Sequence, residues 1–166
     1  AYANGSANVA ISGGTFVGFD PNVSPEQKVD GKAPSFAAPG VGITKNEDGS
    51  FTAAAGMTAQ ILDKDSNSVK AYATLQAAIN AAEDGQTVTL LTDVADCGSI
   101  AISKNITLEG NGHTISGNSS ISVNMPGNAT ADVTIHNVNF KDIANSNKLS
   151  AFYFSQVKGK LTITDC

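Results

Sequence analysis

Apolar and polar residues alternate with period two in four short segments of the chain. They are Val88-Thr-Leu-Leu-Thr-Asp93, Ile106-Thr-Leu-Glu-Gly-Asn111, Val133-Thr-Ile-His-Asn-Val138 and Leu161-Thr-Ile-Thr-Asp-Cys166. Each reads apolar, Thr, apolar, polar, then a turn-prone residue. Such alternation predicts a strand with one buried face. Its recurrence every two to three dozen residues, with no helical pattern after the first copy, predicts a solenoid. Val88/Leu90, Ile106/Leu108, Val133/Ile135 and Leu161/Ile163 supply the inward positions, and Thr89, Thr107, Thr134 and Thr162 an outward column. No single strand of this length can bury its own apolar face. Stacked at about 4.8 Å, the strands form a parallel sheet over one shared core. His113–Ser116, Ile121–Asn124 and Ala151–Phe154 are read as strands on the other sides of each turn.

The same frame occurs near the start, where Val9, Ile11 and Phe16 match Val133, Ile135 and Phe140. Residues 9–16 are therefore expected to form a rung as well. Between this rung and the others lies a long interruption. Residues 20–40 hold four of the five prolines and read as an irregular loop. Val41–Lys45 and Phe51–Ala54 flank an Asp48-Gly49 turn, and Thr58–Leu62 and Val69–Tyr72 flank residues 63–68, so two hairpins are expected. Tyr72, Leu75, Ile79 and Ala82 then lie on one helical face, with Thr74 as N-cap and Gly85 as the C-terminal stop. This helix is expected to cover the open end of the stack.

Composition narrows the class. Fifteen Asp and Glu against ten Lys, with no Arg, give a net charge of −5. That balance argues against a nucleic-acid partner, which calls for clustered basic residues. No apolar run reaches the length of a membrane span. A content of 41% apolar and only 15% charged residues, rich in Asn, Thr and Gly, suits a β-rich protein of the secreted type. Cys97 and Cys166 fall about three rungs apart, too far for a disulfide within one stack.

Residues 71–94 (AYATLQAAINAAEDGQTVTLLTDV) and 104–117 (KNITLEGNGHTISG) resemble the start of pectin-lyase-like right-handed parallel β-helix domains. The resemblance is to those repeated in large surface proteins of gut bacteria. Residues 11–22 and 35–57 resemble the terminal rung and hairpin that close one such unit before the next opens. The resemblance implies an all-β fold: a right-handed parallel β-helix with one N-terminal capping α-helix and an attached β-hairpin region. Residues 1–56 would then be the tail of one unit and 57–166 the head of the next. It also implies an extracellular location, on a bacterial surface or secreted, and a structural role as stalk, fibre or adhesin with a host glycan or protein as ligand.

Enzymes of this fold that cleave acidic polysaccharide use carboxylate clusters with calcium and a basic residue, or paired aspartates on adjacent rungs. The exposed fourth position of the rungs here reads Leu91, Glu109, His136 and Thr164, which is one carboxylate and no cluster. Glu109 and His136 can meet across a rung and could transfer a proton, and they are the catalytic candidates of a lyase or hydrolase alternative. A solvated pair on a sheet face is the plainer reading of the same two residues. Asp63-x-Asp65-x-Asn67 has the opening spacing of a calcium loop, but Ser68 stands where the loop needs Gly and Thr74 where it needs Glu. A turn between strands is the favoured reading there, and the pattern calls for no cofactor. Finally, Val9, Ile11 and Phe16 at one end and Leu161 and Ile163 at the other mark two open sheet edges. These could join copies head to tail.

Overall fold

The computed structural model describes residues 9–23, 35–124, 130, 132–143, 152–155 and 159–166. The chain is predominantly β. Its elements are β1 (Gly14–Phe16), β2 (Val41–Lys45), β3 (Phe51–Ala55), β4 (Ala59–Leu62) and β5 (Ser68–Tyr72), then the helix α1 (Leu75–Ala81). There follow β6 (Thr87–Leu90), β7 (Val94–Ala95), β8 (Gly98–Ile102), β9 (Thr107–Glu109), β10 (Thr114–Ser116) and β11 (Ser119–Asn124). The last are β12 (Val133–His136), β13 (Asn139–Lys141), β14 (Phe152–Ser155) and β15 (Leu161–Thr164). Among the described residues no helix is long and apolar enough to cross a membrane.

From β6 onward the chain visits three sheets in turn. Strands β6, β9, β12 and β15 pair parallel in the first, β7, β10 and β13 in the second, β8, β11 and β14 in the third. Each circuit therefore lays one strand on each sheet, and the inward side chains of successive circuits stack. Val88, Leu108 and Ile135 are all fully buried in one column. Ile115 lies between Val94 and Phe140 on the second sheet, and Ile121 between Ile100 and Phe152 on the third. Ile106, Val133 and Leu161 belong to this one core, Leu161 at its half-buried margin. The first sheet is mixed rather than all-parallel, because β4 pairs antiparallel with β6 on one side and with β5 on the other.

The register differs from the sequence expectation at one step. Val88 sits opposite Leu108, not Ile106, and the Thr column is Thr87, Thr107, Thr134 and Thr162. A slip of two residues keeps every side chain on its own face, so hydrophobic patterning is indifferent to it. Local hydrogen bonds decide instead: Gly85 N–H donates to the Asn105 carbonyl at 2.7 Å, and Thr107 N–H to the Gln86 carbonyl at 3.1 Å.

Both hairpins form, β2–β3 and β4–β5. The helix starts as its cap dictates, with Thr74 extended and its hydroxyl accepting from Ala77 N–H. It buries Leu75, Ala78 and Ile79 in the main core, at the β6 end of the stack. Its end is not the expected one. The chain leaves the helix at the extended Ala82, and Gly85 occupies a later turn with φ 85°. Tyr72 belongs to β5. The free carbonyls of Asn80 and Ala82 are instead covered by the Lys104 ammonium, at 2.7 and 2.5 Å. A cation there also suits the negative end of the helix dipole.

Residues 9–16 do not form a rung of the parallel stack. Ile11 makes an isolated parallel bridge to Ala37, and β1 pairs antiparallel with β3. Val9 is 47% exposed, while Ile11 and Phe16 pack on a second, smaller apolar cluster built on Val41, Ile43 and Ala53. The cause is edge occupancy: the free side of β6, where a preceding rung would lie, is taken by β4. The opposite end of the stack differs. The outer edge of β15 has no partner strand among the described residues, and Ile163 there is 40% exposed.

Candidate functional site

The outward face of the first sheet carries a line of three ionisable groups from three levels of the stack. Register places His136 opposite Glu109 on one side and Thr164 on the other. The His136 Nδ1 lies 2.5 Å from Glu109 Oε2, and its Nε2 lies 3.0 Å from Asp165 Oδ2. The sequence reading brings Glu109 and His136 together correctly but treats Asp165 as turn chemistry alone. Asp165 does make the turn, with φ 54°. It meets His136 because Thr164 sits directly across from that histidine, and this follows only from a known register.

Two carboxylates accept, so both ring nitrogens must donate, and the arrangement suits an imidazolium. The hydrogen bond and the charge of Glu109 hold the His136 pKa above its ordinary value, with Asp165 adding to both effects and burial opposing them. The Glu109 side chain is 19% exposed and Asp165 73%, so Glu109 is the stronger partner. Glu109 is itself oriented by the Asn111 N–H, which donates to Oε1 at 2.9 Å.

A raised folded pKa sets the sign of the pH dependence. The pairing stabilises the fold fully below the unfolded histidine value near 6.5 and is lost as pH rises through the higher folded value. The thermal midpoint is therefore expected to decline from pH 6 to 9, and this slope is expected to flatten in His136→Gln. Direct NMR titration of the imidazole checks the same point, since a value at or below the ordinary one contradicts the bridging geometry.

His113 is not part of this line. Its Nδ1 lies 3.2 Å from Asp93 Oδ1, one circuit earlier. The Thr114 N–H and this imidazole hold the Asp93 carboxyl below the usual carboxylate range.

The calcium-spaced segment is the β4–β5 turn. Asp63 Oδ1 accepts from Asp65 N–H and Asn67 N–H, each at 2.9 Å, and the Asn67 amide donates to both Asp63 oxygens. Burial pushes the Asp63 pKa up, but the Asn67 and Asp65 donors and nearby Lys45 outweigh it and leave the pKa low. Asp63, Asp65 and Asn67 thus engage one another across the turn. Among the described residues no group of three or more His, Cys, Asp or Glu is arranged to hold a metal ion. Cys97 and Cys166 are both free thiols.

A second polar arrangement runs along the corner that leads into the first sheet. Asn105 N–H donates to Asp84 Oδ1 at 3.0 Å, Asp132 N–H to Asn105 Oδ1 at 2.7 Å, and Lys160 N–H to Asp132 Oδ1 at 3.0 Å. Each acidic or amide side chain thus caps the backbone of the next circuit. At the other corners Asp93 accepts from Thr114 N–H and Asp96 from Asn118 N–H in the same way. Sequence reasoning missed this ladder, although Asn105 and Asp132 each stand immediately ahead of an apolar-Thr-apolar segment; Asp84 is separated from its segment by Gly85, Gln86 and Thr87, so the signal is visible only at the later two steps.

Compared with known proteins, the chain matches no family model, no curated protein sequence and no solved structure.

Proposed function

We propose that the chain is a stretch of right-handed parallel β-helix that works as a structural and adhesive module of an extracellular bacterial surface protein. The observation that carries this reading is the ladder Asp84–Asn105–Asp132–Lys160, in which polar side chains are spent on joining one circuit to the next. The strict rotation of strands among three sheets supports the β-helix, and the resemblance of residues 71–94 and 104–117 supports the extracellular setting. A chain built this way resists shear between circuits, which is what a stalk or fibre needs. In this reading residues 1–56 close one unit and 57–166 open the next.

One observation favours an enzyme as the second reading. Glu109, His136 and Asp165 form an acid–imidazole–acid line on an accessible face. Against it, both nitrogens of His136 are already committed, so neither is free to take a proton from a substrate. The two readings separate in one experiment. Incubated with polygalacturonate, with and without calcium, the protein is expected to release no product, and Glu109→Gln is expected to behave identically. In parallel, saturable retention on immobilised host glycans or matrix proteins is expected of an adhesin. Turnover that disappears in Glu109→Gln would replace the structural reading with the enzymatic one.

A further inference from the structure

Both histidines of the chain tie one circuit of the stack to another. His113 reaches one carboxylate, Asp93 of the circuit before. His136 reaches two, Glu109 of the circuit before and Asp165 of the circuit after. These are its ion pairs among the described residues. Glu109 faces it from β9, and Thr164 followed by Asp165 from β15 and its turn.

The far end of β15 is lightly held. Asn137 N–H donates to the Thr164 carbonyl at 3.1 Å, and Cys166 Sγ stands 3.8 Å from the Ile135 carbonyl. Asp165 sits in the left-handed region at φ 54°, a conformation that side chains hold at a cost. The turn therefore leans on what the Asp165 carboxylate gains from His136.

An imidazolium has two N–H donors and a neutral imidazole one. On losing a proton, His136 can go on donating to only one carboxylate, and its new lone pair faces the other. Glu109 is the partner it keeps. That carboxylate lies closer, at 2.5 Å against 3.0 Å, and the Asn111 N–H holds it in place. Asp165 is 73% exposed and has water to turn to. We propose that His136 is a pH-sensitive latch on the last circuit: as an imidazolium it pins the turn after β15 to β12, and as a neutral imidazole it holds Glu109 alone and lets that turn open. The contact between β9 and β12 stays closed in both states. The hydrogen bond and charge of Glu109 keep the ring protonated past its ordinary value, so release comes above about pH 6.5. His113 has no such choice, because one N–H is enough for Asp93. The device depends on the geometry of the stack and not on the surface-module reading.

The test follows two amides of the full chain by hydrogen exchange from about pH 5 to 9, with rates corrected for intrinsic pH dependence. NMR of the His136 ring records its protonation in the same samples. Asn137 N–H reports on the turn after β15, and Gly110 N–H, bonded to the His136 carbonyl, reports on the β9 side. Protection of Asn137 is expected to fall about threefold as the ring deprotonates, the size of one exposed ion pair, while Gly110 keeps its protection. Asp165→Asn is expected to abolish the step, because its amide can donate to the neutral ring as well as accept from the charged one. Asp93→Asn is expected to retain it. The proposal is overturned by equal loss at Asn137 and Gly110, by no loss at Asn137, or by a step that survives in Asp165→Asn or vanishes in Asp93→Asn.

Discussion

Gly110→Ala is expected to destabilise the protein by about 3 kcal/mol, which for a chain of this size lowers the thermal midpoint by roughly 6–12 °C. Gly110 is a buried residue at the turn leaving β9, and its N–H donates to the His136 carbonyl at 2.8 Å. A Cβ at this position would fall on the Asn137 carbonyl oxygen and on Cα and Cγ2 of Val138. Two of those three atoms are backbone, so no rotamer change can clear them. Val138 is itself fully buried and has nowhere to move. The substitution must therefore push two circuits apart where the sheet spacing fixes them at about 4.8 Å. Gly49→Ala provides the comparison. That glycine has φ 81° but open space around its Cβ position, so only the left-handed backbone is strained, at about 1 kcal/mol. Equilibrium denaturation of both variants checks the order. If Gly110→Ala costs no more than Gly49→Ala, the circuits are not packed as closely as described.

The parts of the fold legible in the sequence are those set by side-chain alternation. Val88, Leu108, Ile135 and Ile163 could be read as one inward family because period two survives any even shift of register. For the same reason the reading could not tell Ile106 from Leu108 as the neighbour of Val88. That choice depends on the main-chain bond from Gly85 to Asn105, which has no hydrophobic signature. The two-residue β7 and three-residue β13 are too short for a periodic signal, and they are fixed by their neighbour β10 rather than by their own residues. At the helix end, Gly85 satisfied a local rule, whereas the actual cover for the carbonyls is Lys104, supplied from the next circuit. Val9, Ile11 and Phe16 carried the right pattern for a rung, but a rung needs a free edge, and β4 occupies it. The candidate site divides along the same line. Glu109 and His136 were readable as rung equivalents, while Asp165 lies one residue past the equivalent position and reaches His136 only through the left-handed turn.

Gln60 holds the two apolar clusters together, and its loss is expected to loosen the smaller one selectively. It lies in β4, where Ala59 and Ile61 face the main core and are 0% and 2% exposed. Gln60 is 1% exposed, an unusual place for an amide. Its Oε1 accepts from Ile43 N–H at 2.8 Å, and its Nε2 donates to Ser68 Oγ at 2.9 Å. Ser68 in turn donates its hydroxyl and its N–H to the two oxygens of Asp20, both at 3.0 Å. The amide thereby covers an outward N–H of β2, the edge strand of the β1–β3–β2 sheet, which would otherwise be buried unsatisfied. Gln60→Leu keeps the volume and removes both bonds. The Ser68 hydroxyl keeps its bond to Asp20, so the cost falls on the orphaned Ile43 N–H and is about 1–3 kcal/mol. Because the loss falls on the contact between clusters and not on the circuits, it is expected to be uneven. Hydrogen exchange should quicken at Ile43 and Ala53, while the amides of Leu108 and Ile135 keep their protection. Equal loss of protection in both regions would mean that the two clusters unfold as one unit and that Gln60 is only one contact among many. Retained protection at Ile43 would mean that the edge of β2 is satisfied by some other group.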